Sequence, residues 1–419
     1  MKVLYVATRW PWPIEMGRQR MIDQTLAFTS DFAEVHLLSF ADARSPGATP
    51  PAHIASARKV QMSGLPDVAL SLLTRPFLPL QSHLFLNGRV QRELLAAVAE
   101  IQPDVVIFDM ARLYSLARLV RQRFPKIRLV LDMDDRLSER YQRMLNNKAN
   151  DGLGGTFTAR LPGPVRAVAS LLPKVLLTIE RRLMARIERR AHVLFDSILM
   201  VSPLEAGKFN SEFPGAKAMG FPPLIEVRQV VPADFSAGLR FVFVGNAVYG
   251  PNTEALALLD RIAARVKAGA GEGAVPFSFA AAGKPDPGLA LTHVEVAGFV
   301  PDLGAFLSKD AVLVAPILNG TGIKTKIIDA LEYAVPVVTT PLGAEGLNLQ
   351  PGLHFHQAVD EDSFSELLLG LVRSAEARRT LQTMARAARE VVLETHSRPF
   401  LLASLRRAAG AAAPRLPEN

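Results

Sequence analysis

The residues from Ala315 to Leu347 hold the densest set of groups in the chain able to handle a phosphorylated ligand. Gly320 and Gly322 stand in a loop ahead of a helical pattern, and glycines let a backbone approach a ligand closely. A helix N-terminus adds free N–H donors and the positive end of the peptide dipole, which suit a phosphate. Lys324 and Lys326 bring positive charge to the same loop and first turn. Asp329 follows about one turn on, placed to accept hydrogen bonds from a ribose diol. A second tight loop, Pro341 to Gly346, carries Gly343, Ala344 and Glu345 at the end of the next strand. Its amides are expected to meet the same phosphate or the sugar. The competing reading is a pair of plain glycine turns with solvated lysines. Two glycine loops at adjacent strand ends, with two lysines and a carboxylate, keep both readings open.

Other groups invite chemistry elsewhere. Asp132, Asp134 and Asp135 close a strand-like run that starts at Arg128. Either Asp134 or Asp135 would sit at the cleft end of that strand, beside a bound ligand; the alternative is N-capping of the helix from Leu137. Arg9 and Arg18 flank a loop containing Gly17, with phosphate contact and surface charge both open to them. Lys174 to His192 reads as a basic helix with Val175, Leu176, Ile179, Leu183 and Ile187 on one side. Such a helix suits an anionic lipid surface, or simply packs its apolar side on the sheet. His354, His356 and His396 are isolated and read as packing or surface residues.

The elements that would position these groups alternate between strand and helix. Lys2 to Thr8 and Glu34 to Phe40 read as strands around a helix, Arg18 to Ser30. Val90 to Ile101 and Tyr114 to Arg123 have helical spacing; Val105 to Asp109, Arg128 to Asp132 and Ser197 to Ser202 are strand-like. After a Pro- and Gly-rich stretch, Phe213 to Ala237, a second series begins. Phe241 to Val244, ending in Gly245 and Asn246, Phe277 to Gly283, Val294 to Ala297, Ala311 to Pro316 and Val337 to Thr340 are its strands; Asn252 to Lys267 and Thr325 to Tyr333 are helices. The expected architecture is α/β: two Rossmann-like, doubly wound domains facing a cleft, with ligands at the carboxyl ends of the strands. The expected boundaries are 1–205 for an N-terminal domain, 206–238 for a linker, 239–395 for a C-terminal domain, and 396–419 for a C-terminal helix and tail. That last helix, from Pro399 to about Ala409, is free to cross back to the N-terminal domain.

Bulk properties remove several function classes. The 419 residues contain no cysteine, which excludes disulfides, Cys-ligated zinc, iron–sulfur clusters and thiol nucleophiles. The net charge is +8 with only 7% aromatics and no basic stripe interleaved with them, so nucleic acid is not an expected partner. The N-terminal apolar run is too short for a signal peptide and no run spans a bilayer, so a cytoplasmic location is expected, with docking on the inner face of the membrane open to it. No metal site or cofactor is expected from the His and carboxylate spacing. A dinucleotide oxidoreductase is disfavoured because no Gly-x-Gly-x-x-Gly follows the first strand.

The run Gly320, Gly322, Lys324, Lys326, Asp329, Ala330, Leu331, Ala334, Pro336, Val337, Val338 resembles the group 1 glycosyltransferases, and the loop Gly343 to Leu347 matches as well. Phe241 to Asn246 with Tyr249 to Asn252, then Gly298, Val300 and Asp302, resembles a bacterial subgroup tied to exopolysaccharide and PEP-CTERM sorting systems. The resemblance implies the GT-B fold and, with a retaining outcome, transfer of a sugar from a UDP- or GDP-sugar to a glycan or lipid-linked hydroxyl. It implies Gly17 near the donor diphosphate and Gly245, Asn246, Thr321, Gly322, Asp329 and the Gly343–Ala344–Glu345 loop at the donor, with no metal. Where relatives carry a pair of glutamates, this chain has Thr321 and Asp329. Where they carry Arg and Lys after the first donor-domain strand, Lys324, Lys326 or Lys284 is left to supply the charge. Two rivals remain: a GT-B-fold sugar-nucleotide epimerase, and a non-catalytic nucleotide-sugar-binding partner in a polysaccharide assembly complex.

Overall fold

The computed structural model describes residues 1–41, 48–146, 173–226, 233–247, 250–284, 286, 288–307, 310–320 and 322–412. The chain divides into two compact units, Met1–Pro223 with Pro399–Asn419, and Leu224–Arg398.

The first unit is built on seven strands: β1 Lys2–Ala7, β2 Glu34–Ala41, β3 Ile54–Gln61, β4 Val105–Asp109, β5 Arg128–Asp134, β6 Ser197–Met200 and β7 Ala218–Gly220. All pairs are parallel, in the order β3-β2-β1-β4-β5-β6-β7. The central strands are continuous apolar runs because both faces are covered; all five residues of β4 are buried. The edge strand β3 (IASARKVQ) is half exposed, which is why it lacks that signature. From β1 the chain winds outward to β2 and β3, then returns to β4 on the other side of β1. That reversal makes the carboxyl ends of β1 and β4 the switch point of the sheet, where ligands bind in such folds.

The helix Gly88–Ile101 shows how sequence sets one flank. The Asn87 side chain accepts from Val90 N at 2.8 Å at its start. Val90, Leu94, Ala97, Val98 and Ile101 fall on one buried stripe. Full burial of each large apolar residue there is worth roughly 1.5–3 kcal/mol. The last helix, Arg398–Ala409, belongs to this unit through buried Leu401, Leu405 and Ala408 and an Arg128 Nε bond to Ala408 O at 2.7 Å. Strand β7 and the helix Pro203–Glu212 lie partly within the stretch read as a linker.

The second unit carries six parallel strands: β8 Leu239–Val244, β9 Phe277–Ala282, β10 Glu295–Gly298, β11 Ala311–Ala315, β12 Val337–Thr339 and β13 His356–Gln357, in the order β10-β9-β8-β11-β12-β13. Alternate residues face opposite layers. Phe241, Phe243, Val312 and Val314 pack with Leu259, Ile262 and Phe364. Val242, Leu313 and Ala315 pack with Ile327, Ile328, Leu331 and Val392 on the other face. The switch point here lies between β8 and β11, at Gly245 and at the loop that follows Ala315.

Candidate active site

In the first unit, the carboxyl ends of β1, β4 and β5 converge on Arg18. Its guanidinium lies 2.5 Å from Asp109, 3.0 Å from Asp132 and 3.4 Å from Asp134. Thr8 donates its backbone N–H to Asp109 Oδ2 at 2.7 Å, and its hydroxyl donates to the same oxygen. Tyr5 Oη donates to Asp132 at 2.6 Å. Burial alone would raise Asp109, but Arg18, Arg9 and Thr8 outweigh it and hold the carboxyl below its ordinary value. Asp132 has fewer donors and lies beside Asp109, so burial pushes it up. Arg18 was open to phosphate contact or surface charge in the sequence; it is not a surface charge but a buried counter-ion to three aspartates.

Asp134 stands at a register shift in β5 and has φ +69°, a left-handed conformation that Asp and Asn adopt more readily than other non-glycine residues. Burial raises its pKa to about 6, with Asp135 and Asp132 adding to the rise and Arg18 and Arg140 opposing it. Asp135 Oδ2 accepts from Arg140 at 2.6 Å, while its buried Oδ1 has no partner. Asp135 is therefore not the cap of the following helix, Leu137–Asn146: Glu188 takes the Ser138 N–H at 3.0 Å and the Ser138 hydroxyl. Gly17 begins the helix Gly17–Ser30 and is exposed. A Cβ there would meet open space, so nothing within the protein demands its glycine.

The second unit gathers the groups read from its sequence around β8 and β11. The Lys326 ammonium lies 2.6 Å from Asn252 Oδ1 and 4.7 Å above the Phe243 ring. Burial, reinforced by Lys324, lowers its pKa to about 8 against the pull of Asp329. Lys324 Nζ donates to Gly322 O at 2.5 Å. Gly322 has φ +68°, a conformation that tightens the loop and favours glycine. The helix Thr325–Glu332 has no side-chain cap at Lys324; Ile327 N–H in its first turn donates to Lys324 O at 2.9 Å, so the amides open to a ligand are those of Thr325 and Lys326. Thr321 lies outside the described residues, as does Tyr249.

At the end of β8, Asn252 Nδ2 donates to Asn246 O at 2.9 Å, and Asn246 Oδ1 accepts the Lys284 N–H at 3.0 Å. A Cβ on Gly283 would lie 2.1 Å from Gly245 O, and one on Gly245 would lie 2.7 Å from Asn252 Nδ2. Glycines at both positions let the two strand ends touch. Lys284 is exposed at the rim of a hollow shared with Gly245, Ala247 and Gly283.

The Gly343 loop differs from its expected use. Gly343 N donates to Thr340 Oγ1 at 3.0 Å, Ala344 N to Thr340 O at 3.2 Å and Glu345 N to Leu342 O at 3.4 Å. Those three amides are occupied within the loop rather than left for a phosphate. Thr340 and Thr339 in turn donate to Ile317 O and Ala315 O at 2.6 and 2.7 Å, tying this loop to the glycine loop. A Cβ on Gly343 would lie 1.9 Å from Thr339 Oγ1.

Residues 238–374 match the family model described as glycosyl transferases group 1. No curated protein matches the chain. Among solved structures it resembles sucrose-phosphate synthase from Thermosynechococcus elongatus, with 12% identity, TM-score 0.63, and 97% of this chain and 98% of that one covered. It resembles the lipopolysaccharide outer core galactosyltransferase WaaB (11% identity, TM-score 0.62, 97% and 99% covered). It also resembles Anabaena HepE in complex with UDP (13% identity, TM-score 0.62, 98% and 100% covered). The fold is GT-B. Within it, the Gly320–Lys326 loop and the Asn252–Lys326 contact both lie inside the matched region.

Sequence reasoning missed Asp109 and Phe243 as members of these clusters, and named Asn252 only as part of a motif. An Asp closing the apolar run Val105–Phe108 was the available signal for the first. The basic helix, Pro173–Leu194, is also corrected. Its buried face is Leu177, Glu180, Met184, Ile187, Glu188 and Ala191, while Val175 and Ile179 are exposed. Glu180 accepts Leu80 N at 2.6 Å, and burial raises its pKa to about 7. His396 is buried, with its pKa lowered to about 4 by that burial, and His354 Nδ1 accepts Gln350 N at 3.0 Å; both are packing residues.

Proposed function

We propose that the protein transfers a sugar from a nucleoside diphosphate sugar, with UDP or GDP as carrier, to a hydroxyl of a glycan or lipid-linked acceptor. The observation that carries this reading is Lys326: a buried ammonium with a lowered pKa, beside an uncapped helix N-terminus and a two-glycine loop. As the sugar C1–O bond breaks, its electron pair passes to the leaving diphosphate. Lys324, Lys326 and the first-turn amides stabilise that charge, and removing one such donor costs about 10²–10³ in rate. Asp329 receives the ribose hydroxyls. Thr321, Glu345 and the Gly343 loop border the sugar, and Asp134 and Asp135 serve the acceptor hydroxyl in the first unit. No metal takes part, and the anomeric configuration is retained. HepE has been solved with UDP-glucose, and TarM, another structure this chain resembles, with UDP; both support a UDP-sugar donor.

The pathway we assign is exopolysaccharide or glycolipid synthesis at the inner membrane face. No helix among the described residues is long and apolar enough to cross a membrane. The helix Pro173–Leu194 instead presents Lys174, Arg182, Arg186, Arg189 and Arg190 beside exposed Val175, Ile179 and Val193, with its two glutamates turned inward. That arrangement suits an anionic lipid surface. A thermal-shift panel of UDP, GDP, ADP and their sugars tests the donor assignment. A rise in melting temperature with one nucleotide family supports it, and no rise with any of them refutes it.

A further inference from the structure

Arg18 is matched by three aspartates, but two neighbouring guanidiniums are not. Arg112, just beyond the end of β4, is only 8% exposed, and Arg9 follows β1 with its Nε shut off from solvent. Among the described residues, neither forms an ion pair with a carboxylate, and the Nε of each has no hydrogen-bond partner. Arg112 Nη1 lies 3.6 Å from Met110 Sδ, its guanidinium also meets the neutral Tyr141 hydroxyl, and its charge acts on the nearby Glu180. The two arginines are close enough to repel, and burial together with Arg112 and Arg18 brings Arg9 down to about 10 against the pull of Asp109.

Buried charges are normally paired, because desolvating an unpaired one is costly. The backbone here is strained as well: Met110 has φ +70° and ψ +150°, a region otherwise left to glycine. Strain of that kind clusters at active sites, ligand clamps and switch regions. The clamp lies at the switch point of the first sheet, and a planar guanidinium fork matches a phosphate.

We propose that Arg9 and Arg112 form a subsite for a phosphate group. Because Lys324 and Lys326 already answer to the donor diphosphate, the acceptor is the source of this second phosphate. Only that choice of source rests on the transferase reading; the subsite itself does not.

The test is titration of inorganic phosphate and, separately, UDP into the full-length protein and its Arg9→Gln, Arg112→Gln and Arg112→Lys variants. Phosphate should bind the wild type and weaken about tenfold in each variant, as expected for loss of one charge-assisted bond. Equal UDP affinity in all four proteins assigns the phosphate to the acceptor. A parallel tenfold loss of UDP affinity keeps the subsite but gives it to the donor. Without ligand, Arg9→Gln should melt at or above the wild-type temperature, since burial and the neighbouring Arg112 and Arg18 outweigh the pull of Asp109 on that cation. Phosphate affinity unchanged in every variant, or no phosphate binding to the wild type, overturns the subsite. Variant-dependent phosphate binding without any UDP binding leaves the subsite standing and removes UDP as the donor's carrier.

Discussion

Replacing Lys326 with methionine should change how stability depends on pH in a window set by that one ammonium. Burial first, then Lys324, brings its pKa from the ordinary 10.5 to about 8. At about 1.4 kcal/mol per pH unit, the folded protein carries a penalty of about 3 kcal/mol for keeping the lysine charged below pH 8. Between about pH 8 and 10.5 the unfolded chain holds a proton that the folded lysine has lost, so wild-type stability rises with pH across that window. Methionine keeps the apolar stem and removes the titration. In urea denaturation at pH 7, 8, 9 and 10, the wild type should therefore gain about 2–3 kcal/mol relative to Lys326→Met. Parallel stability curves would refute the buried-ammonium account. Binding of a diphosphate should also draw a proton back onto Lys326. Calorimetric titration of UDP at pH 8.5, in two buffers of different ionisation enthalpy, should register proton uptake in the wild type and none in the variant.

Three further outcomes follow from the same structure. Arg18→Met strands Asp109, Asp132 and Asp134 without their shared cation and should cost about 3–5 kcal/mol in urea denaturation. Asp134 titrates in the fold at about 6 because it is buried beside Asp135 and Asp132. Its ionised form thus costs stability above its unfolded value, so Asp134→Asn should gain on the wild type from about pH 4 to pH 6 by roughly 2–3 kcal/mol and then hold that lead, while turnover falls. Charge reversal at Arg186 and Arg190 should abolish salt-sensitive flotation with vesicles containing anionic lipid; equal flotation would remove the helix from the membrane surface.

The doubly wound fold was legible because the inner strands are buried on both faces and so appear as unbroken apolar runs. Lys2–Ala7, Val105–Asp109 and Ala311–Ala315 all read directly. Strand β3 did not, since an edge strand with one wet face alternates irregularly, and the two-residue β13 leaves no pattern at all. The loop from Gly320 to Lys326 stood out because its groups are close in sequence. Phe243 and Asn252 escaped as supports of Lys326 because they lie more than seventy residues upstream. The Arg18–Asp109 pair is separated by 91 positions and gives no local sign. On the basic helix, Glu180 and Glu188 are buried. Their burial depends on the N–H groups of Leu80 and Ser138, which the helix itself does not reveal.

The central claim is that the second unit's lysines act on a nucleoside diphosphate leaving group. Its most direct test is nucleoside diphosphate release from a panel of UDP- and GDP-sugars by the wild type and the Lys326→Met and Lys324→Ala variants. Release from at least one sugar by the wild type, reduced about 10²-fold or more in each variant, is the predicted result. No release from any donor, or equal release by all three proteins, would contradict it.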